Sequence, residues 1–345
     1  MGAFKKFAVA ALALGGAGAA TLWWLALPER LGPDAVAALG AGDAARGQRI
    51  FDAGGCASCH AKPKSEGDAR LQLAGGLELK TAYGTFVAPN ISTDPNDGIG
   101  GWSLEDFANA MLKGVSRDGQ HLYPAFPYAS YARMKPAEVA DIYAFMKTLP
   151  PVAGRAPSHT LAFPFNVRSG IGLWKLFYLS DQPVIAFADG TPEKVLRGRD
   201  LVEGAGHCGE CHTPRGFDGG TRKGQWLAGA AAAEGQGIVP NITPQGTGIS
   251  GWSESDIASY LETGFTPEFD SVGGTMVEVQ KNMARLSAED REAIAAYLKA
   301  IPPHPNGYPA PQPKPAGLTQ PAAPSRRSAV SNIRRAQRPS VRKRS

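Results

Sequence analysis

The hydrophobic pattern divides the chain into one long apolar run and a set of amphipathic helices. Residues 7–27 carry no charge, follow Lys5 and Lys6, and place Trp23 and Trp24 near their far end. The run is long enough to span a bilayer, with its tryptophans where interfacial aromatics belong. Farther along, apolar residues recur at helical intervals: Leu104, Phe107 and Met111; Val139, Ile142, Tyr143, Met146 and Leu149; Ile257, Tyr260 and Leu261; Ile294, Tyr297, Leu298 and Ile301. Ser103 with Asp106, Ser253 with Asp256 and Ser287 with Asp290 have capping-box spacing, in which the hydroxyl accepts from a first-turn backbone amide. Pro136 opens the helix that carries Val139 to Leu149, and Pro150-Pro151 and Pro302-Pro303 stop the two terminal helices. Shorter helices are predicted over residues 46–53, around Ile50 and Phe51, and over residues 197–204, around Leu201 and Val202.

The order of these elements occurs twice. Ala88-Pro89-Asn90-Ile91 matches Val239-Pro240-Asn241-Ile242, and Gly98 to Ser103 matches Gly248 to Ser253, the mark of an internal repeat. Each short helix leads into a matched motif, Cys56-Ala57-Ser58-Cys59-His60 or Cys208-Gly209-Glu210-Cys211-His212. Two thiols one helical turn apart can form thioethers with the two vinyl groups of one haem, and the adjacent imidazole is placed to ligate its iron. A zinc knuckle would need a second cysteine pair nearby, and a thioredoxin-like pair needs no adjacent histidine. The motifs use all four cysteines of the chain, leaving none for a disulfide framework. Two covalently bound haem c groups are expected, on Cys56, Cys59 and His60 and on Cys208, Cys211 and His212.

A helix before each motif, a middle helix and a terminal helix make up the small all-helical fold of class I cytochromes c. The expected fold class is therefore all-α, with two tandem domains of this kind after an N-terminal transmembrane helix. The boundaries read as an anchor over residues 1–28, domains over 43–150 and 192–302, a linker over 151–191 and a tail over 303–345. Each repeat is expected to form its own core. The linker carries Phe163-Pro164-Phe165, Leu173-Trp174 and Phe177-Tyr178, interrupted by Asn166, Arg168 and Lys175. Its uncharged pieces are too short to cross a bilayer, and interdomain packing is expected of them.

Charge and compartment refine this picture. Haem is attached to such motifs outside the cytoplasmic membrane, and Lys5 and Lys6 keep the amino terminus inside, placing the motifs in the periplasm. Ala17-Gly18-Ala19 offers a cleavage site, but the apolar run continues past it, so an uncleaved inner-membrane anchor is expected. The net charge of +5 is concentrated at the end: nine basic and no acidic residues follow Pro303, and the remainder holds 27 basic against 31 acidic residues. The body is mildly acidic, and no nucleic-acid partner is expected. The tail, rich in proline, alanine and arginine, is expected to be disordered.

Each haem needs a sixth ligand or leaves a vacancy, and methionine in the loop before the terminal helix is the usual choice. Met111 and Met146 lie on apolar helix faces, where packing explains them. That leaves Met134 for the first haem, with His121 or an open site as rivals, and Met276 ahead of Met283 for the second. Trp102 and Trp252 either reach a propionate or fill a core. Asn90 and Asn241 either bond near the haem or shape the Pro-Asn turn.

Several further motifs carry a family resemblance: Tyr83-Gly84-Thr85, Ala88 to Ile91, Gly98 to Ser103, Leu122-Tyr123-Pro124-Ala125-Phe126-Pro127-Tyr128, and Gly206-His207-Cys208 through Thr213-Pro214-Arg215. Over most of residues 43–302 the chain resembles the cytochrome c subunit of membrane-bound alcohol, gluconate and related periplasmic dehydrogenases. The resemblance implies an electron-transfer subunit, not itself an enzyme, between a periplasmic or membrane-bound dehydrogenase and quinone, another cytochrome or an oxidase. Typical members carry three haems where this chain has two motifs, and some place methionine where it has Phe126. A di-haem enzyme of the peroxidase or thiosulfate dehydrogenase type, with chemistry at an open first haem, is the rival reading, although no acid–base constellation accompanies that motif.

Overall fold

A computed structural model describes residues 2–233 and 237–305, so the tail from residue 306 onward lies outside the described residues. The apolar run forms α1 (Gly2–Leu25), a helix long and apolar enough to cross a membrane, with none of its residues buried against the rest of the chain. A short α2 (Pro33–Ala37) follows. The first repeat is α3 (Ala44–Ala53), the motif turn α4 (Cys56–His60), α5 (Leu104–Ala108), α6 (Tyr128–Tyr131) and α7 (Pro136–Met146). The linker contributes α8 (Gly170–Tyr178). The second repeat is α9 (Glu193–Arg199), the motif turn α10 (Gly209–His212), α11 (Glu254–Thr263), α12 (Met276–Met283) and α13 (Ala288–Ala300).

The helix starts follow local chemistry. Ser103 and Ser253 form complete capping boxes with Asp106 and Asp256, and the Ser287 hydroxyl accepts from the Asp290 amide. Asp43 caps α3 in the same way, accepting from the Arg46 amide. α5 runs on through a π-turn over Asn109–Lys113 and stops at Gly114, while α11 stops at Gly264; both glycines have positive φ, 59° and 80°. Little strand accompanies the helices. β1 (Glu78–Thr81), β2 (Gly84–Val87) and β3 (Thr160–Leu161) pair antiparallel, so the linker adds a strand to the first repeat. Among the described residues of the second repeat the paired strands are β4 (Ala230–Ala231) and β5 (Ile238–Val239).

Each repeat closes where its first helix crosses its last. A Cβ built on Gly47 of α3 would overlap the Asp141 carbonyl of α7, and one on Gly198 of α9 would overlap the Ala293 carbonyl of α13. Backbones this close leave room only for hydrogen. Equivalent arginines flank the crossings, paired with carboxylates at different places on the last helix: Arg46 Nε donates to Asp141 Oδ2 at 2.8 Å, and Arg197 Nε to Asp290 Oδ1 at 2.8 Å. Between Arg197 and Cys208 the second repeat has one residue more than the first has between Arg46 and Cys56. That residue is taken up by a π-turn over Asp200–Ala205 with Gly204 at φ −99°, ψ −106°, where an uninterrupted helix over 197–204 was expected.

The repeats do not form separate cores. Phe51, Met134, Val139 and Phe145 of the first belong to one buried cluster with Leu201, Val202, Met283 and Tyr297 of the second, and both repeats fall in one compact unit. The contact is reciprocal. α6 packs on the π-turn before the second motif, and α12 packs on α3 before the first.

Gly47→Ala and Gly198→Ala test the crossings. In a solvent-facing helix the change would stabilise by roughly 0.5–1 kcal/mol, whereas here overpacking is expected to cost about 1–3 kcal/mol or more. Denaturant titration of each variant, with haem content as a second readout, reports the sign.

Candidate haem-binding site

The motif turns position their histidines through the Pro-Asn loops. His60 Nδ1 lies 2.8 Å from the Pro89 carbonyl oxygen, and His212 Nδ1 lies 2.8 Å from that of Pro240. A carbonyl only accepts, so Nδ1 carries the proton and Nε2 keeps its lone pair for a metal. Burial lowers both imidazole pKa values and so favours the neutral, ligating form. Burial also pushes the Cys56 and Cys208 thiols up to about 12, favouring the protonated thiol in this fold. These residues fit a covalently held haem. Among the described residues no group of three or more His, Cys, Asp or Glu side chains is placed to hold a bare metal ion.

Asn90 and Asn241 shape the loops that carry these carbonyls. Asn90 Oδ1 accepts from the Ser92 amide and Asn241 Oδ1 from that of Thr243, both at 2.8 Å. Asn90 Nδ2 donates to the Val152 and Gly154 carbonyls, and Asn241 Nδ2 to that of His304, tying each loop to the chain leaving its repeat. A second brace was missed in the sequence. The His60 carbonyl accepts from Gly75 N and the His212 carbonyl from Gly229 N, and both glycines have positive φ. The preceding Leu73 and Leu227 are also left-handed, at φ 51° and 58°, and fully buried. The signal was the spacing of Leu-Ala-Gly at 73–75 and at 227–229, which matches between the repeats.

The two motif turns meet at the contact between repeats. Asn282 Nδ2, just before the end of α12, donates to Ser58 Oγ at 2.7 Å, and Ser130 Oγ of α6 donates to Glu210 Oε1 at 2.6 Å. Ser58 and Glu210 occupy the same place, next to the second cysteine of each motif. His207, immediately before Cys208, has φ 40° and brings Nε2 to 3.2 Å from the Gly54 carbonyl oxygen. The Tyr131 ring stands edge-on to His207 at 5.8 Å, buried beside Cys56 and Cys59. The second repeat adds a buried chain in which Trp226 Nε1 donates to Tyr297 Oη at 2.9 Å and Tyr297 donates to Glu203 Oε1 at 2.7 Å. Glu203 also accepts from the Ile185 amide, fixing the end of the linker. None of this network was legible in the sequence, because its members come from four distant segments.

The methionines divide by register. The loops Gly114–His121 and Gly264–Ser271 correspond, with bridges Val115↔His121 and Phe265↔Ser271, and four residues after Leu122 and Val272 stand Phe126 and Met276. Met276 opens α12 partly buried, against the shared core. Met134 corresponds instead to Leu286, the two being 5 % and 4 % exposed just before the terminal helices. A Cβ on Gly204 of the second repeat would lie 3.3 Å from Met134 Cγ, which places that side chain at the contact between repeats. His121 turns elsewhere, with Nε2 donating to the Ala26 carbonyl at 2.8 Å. Trp252 packs edge-on against Tyr260 at 5.4 Å, and the Trp102 carbonyl accepts from Tyr143 Oη.

A doubled four-element helical unit that presents a CxxCH turn with a carbonyl-fixed histidine defines a c-type cytochrome. The chain belongs to the cytochrome c family, whose model matches residues 44–150 and 195–302. It is 54% identical, over 83% of its length and 94% of the relative's, to a protein named "Diheme cytochrome c-type" from Cereibacter sphaeroides. It is 37% identical to the cytochrome c subunit of a quinone-dependent alcohol dehydrogenase from Gluconobacter oxydans, over 76% of this chain and 55% of that one. Against the fructose dehydrogenase cytochrome subunit of Gluconobacter japonicus the identity is 36%, over 74% of this chain and 52% of that one. The chain thus spans nearly all of the first relative and about half of the dehydrogenase subunits. Haem c is the cofactor of this family, and electron transfer is its role here.

Cys59→Ala is expected to abolish stable haem attachment at the first motif and leave the second attached. Because the core is shared, thermal unfolding of the remaining holo-repeat should also shift downward. Intact-mass spectrometry counts the haems, and a calorimetric scan reports the shift.

Proposed function

We propose that this chain relays electrons from a periplasmic or membrane-bound dehydrogenase to quinone, to another cytochrome or to an oxidase, through two covalently bound haems c, while anchored by α1 in the bacterial inner membrane. The observation that carries this reading is the meeting of both motif turns at one interface, with His207 Nε2 on the Gly54 carbonyl. Bound haem supplies one-electron exchange at iron. The chain's residues hold the two attachment turns in fixed relation: Ser58 and Glu210 are each bonded by the opposite repeat, and Tyr131 and His207 fill the space between. His60 and His212 are held neutral and oriented, which suits a permanent axial ligand. The names of the dehydrogenase cytochrome subunits support the choice of donor. Purifying the full chain from membranes tests the reading. A co-purifying flavoprotein, quinoprotein or molybdoprotein whose substrate reduces both haems is expected, and peroxide or thiosulfate turnover by the isolated chain would overturn it.

Met276 is the proposed sixth ligand of the second haem, and Met134 is the loop methionine offered to the first. A second reading of the first haem, without a thioether, is favoured by the register that sets Phe126 opposite Met276 and Met134 opposite core Leu286. Met276→Leu is expected to remove the methionine-to-iron charge-transfer band of one oxidised haem and lower its potential. Met134→Leu conserves volume and should cost less than about 1.5 kcal/mol. On the second reading it leaves band and spin state unchanged, whereas loss of a second methionine band would assign Met134 to iron.

A further inference from the structure

We propose that the linker segment around α8 forms a second membrane contact, lying in the lipid interface beside the end of α1. The proposal rests on reading α1 as a retained anchor. The linker was expected to pack between the domains, and part of it packs: the Trp174 ring stands edge-on to Tyr128 at 6.2 Å, and Gly172 presses on the backbone of Ala26. Its largest apolar side chains do not. Phe163 and Phe177 are 80 % and 78 % exposed, Leu176 is 52 % and Val167 is 47 %, with Phe165 beside them.

The charges of the segment point inward. Lys175 Nζ donates to the Lys113 and Gly114 carbonyls at 2.6 and 2.7 Å and lies 4.9 Å from the Tyr128 ring centre. Arg168 donates to the His121 carbonyl at 2.8 Å and lies over the Tyr123 ring. From Thr160 to Leu179 these are the charged residues, so the outer surface is left uncharged and mainly apolar, with Asn166 and Ser169 among its exposed polar side chains. An exposed apolar patch of this kind marks a surface that meets something other than water.

The tether identifies what it meets. α1 ends at Leu25 just after Trp23 and Trp24, which belong at the headgroup level. The next residue, Ala26, receives the contact of Gly172 and the hydrogen bond of His121, and Leu31 N donates to Asn109 Oδ1 at 2.7 Å. The end of the span is thereby fastened to both α8 and the first repeat. A helix held at the depth of the interfacial tryptophans, with an uncharged and mainly apolar surface, has the lipid interface as its neighbour.

Photo-crosslinking of the full-length, haem-loaded chain in native membranes tests this. Benzoylphenylalanine is placed at Phe177, at Phe163 and, as a control, at Phe269, which is 86 % exposed on a second-repeat loop. The expected result is a mass increment of one phospholipid at 177 and 163, at least several-fold above that at 269. A discrete protein adduct at 177 and 163 would assign the patch to a partner protein, and lipid adducts no greater than at 269 would leave it in water. Either outcome overturns the proposal. Intact mass also shows whether α1 is present; a chain processed behind it overturns the anchor reading and the proposal with it. The haem spectrum of each variant confirms folding.

Discussion

Everything in the two repeats hangs on the crossing of first and last helices at Gly47 and Gly198. The carbonyls of Asp141 and Ala293 occupy the space a Cβ would need, so each pair of helices can approach to backbone contact. Arg46 and Arg197 then lock the crossings through short ion pairs to Asp141 and Asp290. With the ends of the repeat fixed, the motif turn is held after α3 in the first repeat and after the π-turn that continues α9 in the second. The Pro89 or Pro240 carbonyl then meets the imidazole Nδ1 at 2.8 Å. The carbonyl fixes the tautomer and the ring orientation of each imidazole, so that His60 and His212 would present Nε2 to a bound haem iron in a set direction.

The repeats are similar but are not used identically. The extra residue in the second repeat breaks its approach helix into a π-turn and frees Glu203 to gather the linker amides and Tyr297. In the first repeat the corresponding carboxylate, Asp52, faces Arg285 at 3.6 Å, and burial raises its pKa. Glu210 also pairs with Arg215, whereas its counterpart Ser58 carries no charge. The two attachment turns therefore sit in different electrostatic surroundings, which is one way a chain can set two potentials from one fold.

The shared core gives this asymmetry a rigid frame. Two independent small domains on a linker would sample many separations, and contact between their motif turns would be transient. Burial of Met134 against Gly204 and of Met283 in the common cluster makes the relation of the turns a property of folding. The linker supports it from outside, adding β3 to β2 and ending on Glu203.

The sequence by itself determined what depends on neighbours along the chain. The two CxxCH turns, the capping boxes at Ser103 and Ser253, the proline stops and the apolar faces of α7 and α13 all rest on spacings of a few residues, and local backbone geometry converts these directly into structure. Register also fixed the pairing of the repeats. Tertiary structure alone decided what needs distant segments to meet. The motif turns share an interface, Asn282 reaches Ser58, His207 reaches Gly54, and Lys175 and Arg168 turn inward while Phe163 and Phe177 turn out. Side chains 80 to 224 residues apart make the bonds that join the motif turns across that interface, and no periodicity encodes them. They form because burying apolar surface from both repeats together removes more of it from water than two separate cores could.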